Sequence, residues 1–386
     1  MRIFVLLFCL SLMVWASSYE ELVDAIINKQ SDKALALINT GIDLKQLANE
    51  ESIKRIVTPN VHTTYVGGME QEVFPLVILA ATAGMNKVIK AIKSKDEAAI
   101  YVKDSYGNDA LMWASRQGNL ETVKLLLTYG FNPLYQPKGS KHSAYELAIQ
   151  KAKYDVLNLY VDELLKSNET EQLSYTIWAL ARHKSSIIEK LLQHGIKDSY
   201  KGYAPRTSLI KAAEVGDIKT FELLVQYGSD PYEGNIGTVR DGYNPLIAAL
   251  HYSSKMARYL LNNYNYDLTV LYEGENLLHI AFEKFNEEIF TLLLQKSHLN
   301  INSKDNRHGE YFLQKAVYHN DLETVEYLLK HKLSKEHIQS AIQSAKEKTV
   351  INEKQYQKVD NSYNSENLQK SKKILILLES YSIKEI

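Results

Sequence analysis

The chain has 386 residues, 45% of them hydrophobic and 24% charged, with 45 Lys and Arg against 46 Asp and Glu. A net charge of −1 argues against bulk attraction to nucleic acid or to an anionic membrane surface. A single cysteine, Cys9, excludes an intrachain disulfide framework.

The first residues stand apart from the rest. Arg2 precedes an apolar run from Ile3 to Trp15, and small residues follow at Ala16, Ser17 and Ser18. A positive start, a short apolar stretch and a small-residue cut site describe a secretory signal peptide. It is expected to span 1–16, with cleavage after Ala16 and the repeat-bearing part at 17–386. The run is shorter than the roughly 20 residues of a membrane span, so no stable membrane anchor is expected once the leader is gone; an uncleaved anchor is the alternative. Cys9 would leave with the leader. Only eight of the 45 basic residues are arginine, which with abundant Ile, Asn and Tyr suggests an AT-rich bacterial source. The protein is therefore expected to be exported, periplasmic or secreted.

A periodicity follows. Ala25, Ala80, Ala114, Ala148, Ala179, Ala212, Ala249, Ala281, Ala316 and Ala341 recur, most of them at intervals near 33 residues. Such a period marks a stacked array of one small unit. The alanine is expected where the first helix of a unit packs on its neighbours, because a larger side chain would push the units apart.

The clearest unit runs from Asp104 to Pro133. Gly107 suits a tight turn, and a short helix follows with Leu111, Ala114 and Ser115 on one side. Gly118 and Asn119 break it. A second helix begins near Leu120, with Val123, Leu126 and Leu127 at helical spacing. Gly130 sits where a C-terminal glycine belongs, and Pro133 blocks continuation. The frame returns at Arg206–Pro231, Gly274–Ser297 and Tyr311–Lys332.

Two insertions interrupt it. One, near 45–72, is rich in β-branched residues between Ser52 and Gly68 and predicts a lengthened hairpin. The other, near 346–373, is polar and predicts either a mobile loop or a solvated helix extension, with a last helix at Ile374–Tyr381.

This frame resembles the ankyrin repeat family. The T-P-L-H-x-A signature appears as Asn276-Leu277-Leu278-His279-Ile280-Ala281, and the flanking D-x-x-G as Asp104-Ser105-Tyr106-Gly107. The turn after the second helix appears as Gly41-Ile42-Asp43 and Gly228-Ser229-Asp230. His183 replaces the mid-unit glycine of the Ala179 unit, and Asn265 the closing glycine of the Ala249 unit; both read as degenerate units that keep the fold. The resemblance covers about nine-tenths of the chain. It implies an all-α solenoid of about ten stacked helix-turn-helix units, with β-turn or hairpin connections, that binds protein.

No catalytic or metal-binding pattern accompanies it. The 11 histidines show neither H-x-x-x-H nor H-E-x-x-H spacing, and phosphate-loop and nucleophile-elbow motifs are missing. No catalytic residue, metal or cofactor is expected. His279 is expected to hydrogen-bond the turn backbone. Trp113 and Trp178, each one residue before its alanine, are expected in the core.

The 26 tyrosines carry the functional expectation. Tyr135, Tyr200, Tyr203, Tyr232, Tyr243 and Tyr272 fall in the turns between units. Arg116, Arg182, His251 and Tyr252 fall two or three residues past the alanines, beside Gln117, Glu214 and His319. Tyrosine gives large contact area at low entropic cost, so these ten are expected to line a concave partner-binding surface. The alternative is that hairpin tyrosines pack on neighbouring turns. The expected function is a monomeric, non-catalytic protein–protein interaction module: a scaffold, a chaperone-like protein or an inhibitor. A host-directed secreted effector is one alternative. Another is an enzyme or ligand-binding protein centred on 45–72, which would need polar groups converging near His62, Tyr65 and Glu70.

Overall fold

The computed structural model describes residues 18–45, 47–49, 73–138, 142–167, 169–182, 185–200, 207–234, 242–283, 286–297, 299–359 and 361–384. Each repeat frame becomes two antiparallel helices, and ten such pairs occur among these residues. The chain divides into two compact units, Met1–Leu173 and Ser174–Ile386. The leader expected at 1–16 lies outside the described residues. No described helix is long and apolar enough to cross a membrane.

The first unit holds α1 (18–27) with α2 (Ser31–Ile38), α3 (Leu76–Ala83) with α4 (Asn86–Lys95), α5 (Ala110–Gln117) with α6 (Leu120–Thr128), and α7 (Ala144–Gln150) with α8 (Tyr154–Ser167). First helices stack on first helices, α3 on α5 on α7, and second on second, α2 on α4 on α6 on α8. Ala25, Ala80, Ala114 and Ala148 are fully buried, as a close helix–helix approach demands.

Local chemistry sets the ends. Asp109 starts α5 by accepting from Met112 N at 3.0 Å, and Gly118 (φ +82°) stops it in the left-handed region. Lys29, Ala152 and Asn320 take that region in other units (φ +56°, +53° and +58°), at a cost of about 1–2 kcal/mol each. Neighbouring pairs are also tied by polar bonds. Asn119 Nδ2 donates to Ala81 O and Thr82 O, both at 2.8 Å, at the end of α3, where helix carbonyls run out of helical donors.

The 45–72 insertion is bracketed by an antiparallel pair, β1 (Leu47–Asn49) and β2 (Val73–Pro75), in register Leu47↔Pro75. The hairpin expected between Ser52 and Gly68 falls on residues 50–72, with His62, Tyr65 and Glu70, which lie outside the described residues.

The second unit begins within α9 (Thr170–Leu180). It continues with α10 (Ser185–Gln193), α11 (Ser208–Val215), α12 (Ile218–Gln226), α13 (Pro245–Tyr252), α14 (Ser254–Asn263), α15 (Leu277–Phe282), α16 (Glu287–Lys296), α17 (Phe312–Tyr318), α18 (Leu322–Leu328), α19 (Lys335–Lys358) and α20 (Ser362–Lys384). Ala212, Ala249, Ala281, Ala316 and Ala341 are buried. Ala179 is half-buried, and Ala181 takes the buried place. With that shift Trp178 leaves the core and is half-buried too, whereas Trp113 is buried as expected.

A tight hairpin, β3 (Leu271–Tyr272) and β4 (Glu275–Asn276), precedes α15. Its two turn residues, Glu273 (φ +51°) and Gly274 (φ +80°), both have positive φ, the requirement of a turn whose twist matches paired strands.

Within the 346–373 segment, residues 346–358 and 362–373 are helix, the second of the two expectations. α19 and α20 pair along their length, with Lys372 Nζ 2.9 Å from Glu353 and Lys346 Nζ 3.5 Å from Glu379. Ala345, Thr349 and Asn352 are buried in the seam, and Asn352 Nδ2 donates to Asn367 O at 3.2 Å. Small and amide side chains fill the seam of a segment that offers few apolar anchors.

Candidate protein-binding surface

On the second unit, the hairpin turns and the ends of the first helices carry a continuous chain of side-chain contacts. Arg182, just past α9, is ion-paired to Glu214 on α11. Tyr243, before α13, donates its hydroxyl to Glu214 at 3.5 Å. The Tyr243 ring lies 5.4 Å from Tyr272 and 6.3 Å from His251, and His251 lies 6.0 Å from Tyr252. His251 Nδ1 is 3.4 Å from Glu283. Arg307 then bridges two carboxylates, Glu283 at 3.3 Å and Glu273 at 2.8 Å. The Arg307 and His251 pairs are partly exposed and each contributes about 0–1 kcal/mol. Their effect is to hold charged groups in fixed directions.

Beside this chain a groove opens between α15 and α17. The backbones of α11 and α13, and of α17 and α19, approach closely, whereas those of α15 and α17 stand apart. Rings fill the seam instead. His279 stacks on Phe312 with centroids 4.2 Å apart, and Phe282 lies 5.1 Å from the same ring. Above the rings remains an opening of about 650 Å³, lined by groups that include Glu275, Glu283, Arg307, Glu310, Lys315, Tyr318 and His319. Tyr318 at its rim is 66% exposed and Tyr252 is 57% exposed.

Asp305 organises the turn under the groove. Its Oδ1 accepts from His308 N at 2.6 Å and Gly309 N at 3.1 Å, and its Oδ2 is 2.6 Å from Lys315 Nζ. Burial opposes its ionisation, but Lys315 and the N–H of His308 outweigh that and bring it down to about 2. Oxygens of Asp305 and Glu310 and a ring nitrogen of His308 lie within 4.8 Å of one another. The Lys315 ammonium already holds Asp305, so this cluster reads as a braced turn rather than a metal centre. His279 Nε2 lies 3.1 Å from the Ser303 hydroxyl, and the ring also bonds the Ser303 backbone, the turn contact expected of it. Burial, then nearby Lys315, lowers His279 to about 4.

The structure brings together Arg182, Tyr243, Tyr272, His251 and Tyr252 of the ten expected residues. Tyr243 and Tyr272 are only 2% and 4% exposed, a correction: they pack on neighbouring turns and support the strip from below. Tyr200 lies 5.1 Å from Tyr175 and 5.4 Å from Trp178, in a separate cluster. Tyr232 is 46% exposed but packs on Tyr264 and Tyr266 past the second helices. Tyr135, bonded to Lys103 Nζ at 2.7 Å, and Arg116, over the Trp113 ring at 5.2 Å, belong to the first unit. Tyr203 lies outside the described residues. Glu273, Glu283, Arg307 and Tyr318 were not anticipated. Tyr318, two residues past Ala316, obeys the spacing that selected Arg116.

An ankyrin repeat protein of fowlpox virus (strain NVSL) is 29% identical over 147 residues, 38% of this chain. The match spans only 26% of that relative's length. Among solved structures, the ankyrin repeat domain of Bcl-3, a member of the IkappaB protein family, aligns with a TM-score of 0.42 at 17% identity, over 62% of this chain and 97% of that one. The family model for ankyrin repeats (three copies) matches residues 22–137, 176–271, 209–305 and 246–341, most of the chain. With ten helix pairs in the expected frame and this coverage, the chain belongs to the ankyrin repeat family.

Proposed function

We propose that the protein is a non-catalytic interaction module that holds another protein on the turn and first-helix strip of its second unit. The carrying observation is the bridged row Arg182–Glu214, His251–Glu283 and Arg307–Glu273, flanked by the exposed rings of Tyr252 and Tyr318. Rigid aromatic anchors beside a pre-oriented polar row suit recognition, because little side-chain freedom is lost on binding. The first unit keeps its own turn aromatics, Tyr135 among them, as secondary contacts.

We read residues 1–16 as a secretory leader and 17–386 as the mature array, acting as a monomer in the periplasm or outside the cell as a scaffold, chaperone-like protein or inhibitor. The test is capture from the protein's own compartment with the chain beginning at Ser17. A Tyr252→Ala, Tyr318→Ala double variant should lose the captured protein while melting as the parent does. Equal capture by both would reject this surface.

A further inference from the structure

The groove between α15 and α17 has an unbalanced polar lining. Four carboxylates, Glu275, Glu283, Glu310 and Asp321, face two permanent cations, Arg307 and Lys315. Both cations are committed: Lys315 to Asp305, and Arg307 to Glu273 and Glu283. Asp321 is committed as well, capping α18 through Thr324 N at 3.1 Å and the Thr324 hydroxyl at 2.6 Å. Glu275 and Glu310 are left without a cation among the described residues.

Glu275 is the informative one. It is 94% buried (6% exposed). Its Oε1 accepts from Asn306 N at 2.9 Å, while its Oε2 is buried with no hydrogen-bond partner. A carboxyl oxygen in that position lacks the partner that burial normally requires. We propose that this groove receives one basic side chain, Arg or Lys, from the partner protein, with its cationic head held by Glu275 and Glu310. The proposal rests on the interaction reading above and names the chemistry that the site selects.

An anion is disfavoured because both cations are already neutralised. A metal ion is a poorer fit than an organic cation, since Asp305, the carboxylate nearest Glu310 and His308, is already held by the Lys315 ammonium. A long basic side chain suits the groove in a second way: its stem can lie on the exposed Tyr318 ring while its head reaches the carboxylates.

The test uses the full chain and four bead-bound pools of twelve-residue peptides, identical except that fixed positions hold Arg, Lys, Gln or Glu. Retention of the Arg and Lys pools should exceed the Gln pool about tenfold at low salt, as one charge-assisted pair allows, with the Glu pool weakest. A Glu275→Gln, Glu310→Gln double variant should lose the preference. An exposed carboxylate elsewhere, Asp155→Asn, should keep it. Glu310→Gln alone, which leaves the Asn306 bond untouched, should lose part of it and guards against misfolding of the double variant. Retention that does not discriminate, or a preference that survives in both Glu variants, overturns the proposal. If the pools fail while the partner is still captured through Tyr252 and Tyr318, only this inference falls. If the pools discriminate while no partner is captured, the groove stands and the wider reading falls.

Discussion

The backbone N–H of Leu313 donates to Nε2 of His337 at 3.1 Å, across the seam between α17 and α19. That bond fixes Nε2 as an acceptor, so Nδ1 carries the proton and faces Asn302 Oδ1 at 3.2 Å. The ring is fully buried and stacks on Tyr311 at 4.5 Å. Protonation would set two donors against each other in a dry seam.

A pH dependence follows from it. Burial, then the neighbouring His279, lowers His337 from 6.5 to about 4, and His279 is lowered to about 4 as well. Both are neutral when folded, and between pH 4 and 6.5 the unfolded chain binds more protons. Stability should therefore be flat near pH 7–8 and fall as pH drops from 6.5 towards 4, by on the order of 2–3 kcal/mol per histidine. Asp305, lowered from 3.8 to about 2, adds a further loss as pH falls through that lower range. Urea midpoints at pH 7.5 and 4.5 check this. A His337→Phe variant should start about 1–3 kcal/mol less stable, with the Leu313 N–H left unpaired, and show a smaller drop.

Asn119 gives a prediction for the first unit. Its amide nitrogen supplies both protons to the Ala81 and Thr82 carbonyls. Asn119→Asp replaces those donors with a carboxylate facing two carbonyls and should cost about 3 kcal/mol, more than Asn119→Ala. Urea unfolding followed by tryptophan fluorescence would rank the two.

Arg307 separates stability from recognition. Its pairs with Glu273 and Glu283 are about half-exposed, so Arg307→Ala should change stability by less than about 1 kcal/mol. It should weaken partner binding more than that, because Glu273 and Glu283 lose their fixed orientation. Melting curves beside titration with the captured partner would show the contrast.

The fold was legible because its constraint is steric and repeats: all ten alanines fall on first helices. Where a unit shifts, as at Ala179, the periodicity still marks the helix but misplaces the buried face by two residues. The C-terminal hairpin was harder, since its seam uses Ala345, Thr349 and Asn352, which read as solvated. The surface was only partly legible. Turn position does not say which way a tyrosine faces. Tyr243 directly precedes Asn244, the α13 cap that accepts from Ile247 N, and the residue before a cap tends to fold back onto the helix; that signal pointed inward. Arg307 and Glu273 meet only because successive hairpins stack, which no local spacing reveals.

Site-directed cross-linking can show whether the first-helix strip of the second unit meets the partner. Benzoylphenylalanine would replace Tyr252, Tyr318 or Tyr227 in turn, the last being a 42%-exposed tyrosine at the end of α12 in the second-helix layer. Positions 252 and 318 should cross-link the same protein and position 227 should not. Cross-linking through 227 with none through 252 or 318 would contradict this expectation.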